Sequence, residues 1–119
     1  MFAALCAACH RAGDAGTDFG PDLSQIAKKW NRAGLLEQLR FPGKVIYPQW
    51  HLTTVELKDG ETKSGYLLAQ TPTELTLKMA GGERAKIPTK EISKTRTERV
   101  SLMPEGLLQS LTAAEAADL

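Results

Sequence analysis

The chain has almost no charge of either sign to spare: 15 Lys and Arg stand against 14 Asp and Glu, a formal net charge of +1 over 119 residues. Such a balance excludes the broad basic footprint that a nucleic-acid partner requires. No apolar run approaches the roughly 18 residues needed to cross a bilayer, so no membrane-spanning helix is expected. There is no Ser-His-Asp set, no glycine-rich phosphate cradle and no second cluster of metal-binding side chains, which leaves hydrolytic and nucleotide chemistry without a motif. Cysteine and histidine are scarce, with two of each. Yet three of those four, Cys6, Cys9 and His10, fall within five residues. The length itself predicts one small domain.

Cys6-Ala7-Ala8-Cys9-His10 is the spacing that fastens a c-type haem. On a helical turn of about 3.6 residues the two thiols point to one side, where they reach the haem vinyl groups as thioethers. His10 then falls beneath the iron as its proximal ligand. Three other uses of the pair compete. Zinc needs four ligands, and the only further histidine is His51. A thioredoxin-like dithiol belongs in a βαβ setting, whereas Cys6 lies in a short Ala-rich segment. A Cys6–Cys9 disulfide would close a very small strained ring. One covalently bound haem c is therefore expected, and a large apolar cofactor would help to fill the middle of so short a chain. Its propionates would carry the loaded protein slightly negative. A c-type haem is attached outside the cytoplasm, so a periplasmic or otherwise extracytoplasmic location is expected. With the motif starting five residues in, a removed signal or an upstream precursor is expected too.

Periodicity divides the chain into three stretches. Phe2 to Ala12 predicts a helix with Phe2, Leu5 and Cys9 on one face, broken by Gly13, Gly16, Gly20 and Pro21. The Pro21 carbonyl is placed to accept a hydrogen bond from His10 Nδ1–H and so fix the ring tautomer; the plain alternative is a turn proline. Ser24 predicts an N-cap for a helix over Gln25 to Trp30, and Arg32 to Arg40 a further helix with Leu35, Leu36 and Leu39 inward. From Val45 to Val100 the period becomes that of strands: Leu52 to Lys58, an Asp59-Gly60 turn, Lys63 to Gln70, Glu74 to Met79, Arg84 to Ile87, and a fifth from Ile92 towards Arg99. Four or five such strands predict a small antiparallel barrel or a strongly twisted sheet, with one face packed on the haem-binding part. Helical spacing returns over residues 101–111, and Thr112 with Glu115 forms a capping box for a last helix. Met103 sits before Pro104 in a loop, where no helix constrains its thioether.

Cys6 to His10, Gly20-Pro21, Met103-Pro104 and the closing Leu111-Thr112 with Glu115 and Asp118-Leu119 together resemble a class I cytochrome c. With a β-rich stretch entering near Pro42-Gly43-Lys44-Val45-Ile46, the chain looks like the planctomycete and verrucomicrobial haem-binding domain. The resemblance implies an α+β fold. A helical class I core of about four short helices, residues 1–44 and 100–119, would be interrupted by an inserted β-module of four to five strands, residues 45–99. It implies Cys6 and Cys9 as thioether anchors, His10 as proximal and Met103 as distal ligand, with Pro21 supporting His10. His51, Met79 or an open sixth position remain the alternatives to Met103. Met79 reads more simply as a sheet-core residue, and His51 as a loop histidine whose ligation would lower the potential. Trp30, Tyr47, Trp50 and Tyr66 have packing as their default role, and Arg40 and Lys44 a solvated surface.

The function implied is single-electron transfer by an electron carrier, with no catalytic residue and no substrate position on the iron. Its expected partners are redox proteins: a fused or separate extracytoplasmic dehydrogenase as donor and a respiratory acceptor. Two other readings stay open, a gas-binding haem sensor and an interaction module that docks a partner through the β-insert.

Overall fold

The computed structural model describes residues 1–119, which form an α+β chain of four short helices and a five-stranded antiparallel sheet. The chain divides into two compact units, one of Met1–Val45 with Met103–Leu119 and the other of Ile46–Leu102.

In the first unit, α1 spans Phe2–Leu5, shorter than the helix expected through Ala12. A further hydrogen-bonded turn carries the chain to His10, whose N–H bonds Cys6 O, and there the backbone leaves the helical course. Cys9 O accepts the amides of Phe19 at 3.2 Å and Gly20 at 2.6 Å, and Arg11–Ala12 (β1) pairs with Ala15–Gly16 (β2) as a two-residue hairpin. Two further helices follow, α2 at Ile26–Lys29 and α3 at Arg32–Arg40. Ser24 does not cap α2, whose N-cap is Gln25 without a side-chain bond; the Ser24 hydroxyl is engaged with Asp22 and Gly13 instead. Asn31 caps α3, its side chain accepting from Gly34 N–H at 2.9 Å. Leu35 and Leu39 are half-buried, but Leu36 is exposed rather than inward. Residues 101–106 are not helical, and Gly106 turns left-handed ahead of a 3₁₀ turn at Leu107–Ser110 that packs on α3. The last helix, α4, spans Ala113–Ala117, and its capping box is formed by Thr112 and Glu115.

The second unit opens with a 3₁₀ turn at Pro48–Trp50 and then builds the sheet from β3 (Leu52–Leu57), β4 (Thr62–Gln70), β5 (Glu74–Lys78), β6 (Arg84–Pro88) and β7 (Ile92–Glu98). Their order is β6-β5-β4-β3-β7. Between β3 and β4 the turn is three residues long: Leu57 N–H bonds Glu61 O, and Gly60 takes the left-handed conformation at φ 91°. The edge strands β6 and β7 are joined by only Thr89–Glu91, in a 3₁₀ turn. So short a link cannot cross a flat sheet whose strands lie about 4.8 Å apart, so the sheet curls to bring its edges together at that end. Inside the curl lie Val55, Leu57, Leu75, Leu77 and Ile87, with Met79 and Ile92 packed against them. Burial of each of these aliphatic side chains contributes roughly 1.5–3 kcal/mol. The opposite face carries Tyr66 edge-on to Trp50, ring centroids 5.1 Å apart, with Lys78 Nζ 5.7 Å from the Trp50 ring.

Candidate functional site

Directly after α1 the backbone makes one tight turn. His10 N–H donates to Cys6 O at 2.8 Å and Cys9 N–H to the same carbonyl at 3.0 Å. This stacks Cys6, Cys9 and His10 within a single turn. Both cysteines are free and partly exposed, and burial pushes the Cys6 thiol up from its ordinary value.

His10 is held from two sides. Its Nδ1 lies 2.7 Å from Pro21 O. A carbonyl only accepts, so Nδ1 carries a proton, and in the neutral ring the lone pair is then on Nε2. The His10 carbonyl accepts from Thr17 N–H at 3.2 Å, and Gly16 crosses so close that a Cβ there would stand 2.0 Å from His10 O, at a φ of +92°. Gly20 lies against the ring, where a Cβ would come within 2.9 Å of His10 Cε1. The loop of residues 13–21 is thus shaped around this imidazole, and the glycines leave room for it.

The Pro21 loop has its own fastening, which sequence reasoning missed. Asp22 Oδ2 accepts from Arg11 Nε at 3.1 Å and Nη2 at 2.7 Å, while Oδ1 accepts from Ser24 N–H at 2.8 Å and from the Ser24 hydroxyl. The Ser24 hydroxyl and amide, then the Arg11 guanidinium, hold the Asp22 carboxyl far below the usual carboxylate range. The available signal was Asp22 two residues before Ser24, a spacing at which Asp side chains bond the backbone ahead of them.

Met103 lies half-buried in a bend of the same compact unit as His10. Met79 packs against the sheet core. His51 lies between the Pro48–Trp50 turn and β3 in the other unit, and its Nε2 is buried without a hydrogen-bond partner. Trp30 lies over Gly34 of α3, Arg40 stacks on Phe41 with its guanidinium carbon 5.2 Å from the ring, and Lys44 pairs with Glu37. Tyr47 is exposed.

The donor set suits a haem: two free thiols, and an imidazole whose second nitrogen is left open by its bond to Pro21. The compact unit that holds these residues also has apolar side chains left for a large apolar group to cover. Leu5, Leu23, Ile26, Leu35, Leu39, Leu107, Leu108 and Leu111 are all only half-buried.

No helix is long and apolar enough to cross a membrane. No curated protein matches the chain. A family model for cytochrome c matches residues 1–67, more than half of the chain, covering the Cys6–His10 turn and the Pro21 loop and ending before Met103. The chain therefore belongs to the cytochrome c family, whose domains bind one covalently attached haem c, transfer electrons between redox partners and generally work outside the cytoplasm.

Proposed function

We propose that this chain is a monohaem electron-transfer module with His/Met-ligated iron. Cys6 and Cys9 would hold the group through thioethers, His10 Nε2 would be the proximal ligand and Met103 the distal one. The observation that carries this reading is the 2.7 Å bond between His10 Nδ1 and Pro21 O, which fixes the tautomer with Nε2 available one turn from both thiols. When bound, haem supplies a one-electron iron couple. The chain's own residues would orient the imidazole through Pro21 and offer the half-buried leucines of the same unit for the group to cover. We assign residues 1–44 and 100–119 to the haem-binding core and residues 45–99 to an inserted β-module, in the manner of the planctomycete-type domain. The module would serve a larger periplasmic or otherwise extracytoplasmic dehydrogenase, accepting its electrons and passing them to a respiratory carrier.

The test is the optical spectrum of the haem-loaded protein, oxidised and reduced. A weak long-wavelength iron–sulfur band in the oxidised parent that vanishes in Met103→Ala supports methionine ligation. A parent without that band overturns it.

A further inference from the structure

The bond from His10 to Pro21 joins two residues whose chain neighbours, Arg11 and Asp22, are themselves joined twice. Leu23 N–H donates to Arg11 O at 2.8 Å, and the Arg11 guanidinium donates two bonds to Asp22 Oδ2. The other Asp22 oxygen is held by the amide and hydroxyl of Ser24, and that hydroxyl in turn accepts Gly13 N–H at 2.7 Å. One carboxylate thus takes four hydrogen bonds, tying the strand after His10, the turn at Gly13 and the loop bearing Pro21 into one closed ring.

This ring is not there for bulk stability. The Arg11 and Asp22 side chains are 53% and 40% exposed, and an ion pair so open to solvent contributes little on its own. What four directed bonds supply is position. Pro21 has no side-chain bond to fix its carbonyl, and Asp22, the next residue, is the point at which the loop is fastened.

We propose that Asp22 is a positioning residue: through its clasp on Arg11 and Ser24 it keeps the Pro21 carbonyl on His10 Nδ1, and so sets how strongly His10 donates to the iron. The inference rests on the haem reading above. A histidine that gives its Nδ1 proton to a firm acceptor is the more basic ligand, which favours the oxidised metal. Releasing the clasp therefore raises the reduction potential.

The experiment compares haem-loaded parent, Asp22→Ala and Arg11→Gln by two readouts. One is hydrogen exchange of His10 Nδ1–H in the reduced state, and the other is the reduction potential. For Asp22→Ala the expected result is exchange about ten-fold faster, the scale of one charge-assisted bond, together with a higher potential. Arg11→Gln leaves the Ser24 half of the clasp and moves both readouts the same way by less; it also serves if Asp22→Ala fails to load haem. Faster exchange of loop amides with unchanged Nδ1–H exchange and potential would make the ring merely structural and overturn the proposal. A parent chain that takes up no covalent haem overturns the underlying reading and the inference with it, whereas a loaded parent with unaltered variants removes Asp22 alone.

Discussion

The two units bury their apolar side chains in different ways. In residues 46–102 the sheet curls over Val55, Leu57, Leu75, Leu77 and Ile87, of which Val55 and Leu77 are 0% exposed. In the unit of residues 1–45 and 103–119 the only large apolar side chain that is buried is Phe19, at 4% exposure. Its helices span four, four, nine and five residues, well under the ~12–15 at which an isolated helix becomes even marginal in water. A sheet with five paired strands supplies its own tertiary support. Helices this short need support from elsewhere, and in a cytochrome c a covalently held macrocycle supplies it. We propose that the cofactor completes the core of the helical unit, which is where Cys6, Cys9 and His10 lie.

The largest expected effect that separates the units is Leu77→Ala. Truncating a side chain with no exposure costs about 2–5 kcal/mol, so the sheet should unfold at markedly lower denaturant while haem attachment continues. Fluorescence of Trp50, read in a Trp30→Phe background, set beside haem absorbance would follow the two units. In the opposite sense, Gly16→Ala should strike the helical unit alone. An alanine there would stand 2.0 Å from His10 O at a positive φ, so the loop must shift at a cost of about 1–3 kcal/mol, read as a lower unfolding midpoint by haem absorbance with the sheet transition unmoved. A smaller effect is expected from Thr112→Ala, which removes the α4 capping box and costs about 1 kcal/mol in the helical unit. Acid should act in the same direction. The Thr112 amide and hydroxyl hold Glu115 below its ordinary value, so its stabilisation is present above the usual carboxylate range and is lost as pH falls through and below it. Thermal scans from neutral pH down to about pH 3 would show whether the helical transition moves before that of the sheet.

Local signals made much of the fold legible. Alternating apolar residues marked five strands, Asp59-Gly60 marked the first hairpin, and Thr112 with Glu115 marked the start of α4, because each depends on residues close in sequence. The bounds of α3 were equally legible from its leucine spacing. The failures have a common cause in distant partners. The first helical stretch does not run on to Ala12, because Cys9 O, the acceptor a continuing helix would offer to Gly13, is taken by amides at 19 and 20, and Ser24 leaves α2 uncapped because Asp22 and Gly13 engage its hydroxyl. Lys78 occupies a polar position in an alternating strand, yet it is 6% exposed beside Trp50, a residue 28 positions away. At the site, the Cys6–His10 turn is local and was readable. The clasp around Asp22 spans eleven residues and was not.

The most direct test is residue-resolved hydrogen exchange on the Cys6→Ala/Cys9→Ala chain, made without attached haem, beside the loaded parent. Amides of β3, β4 and β5 should keep strong protection in both forms, while those of α2, α3 and α4 should exchange at nearly unprotected rates unless haem is attached. Helices as well protected without haem as with it would contradict the claim that the cofactor is the core of that unit.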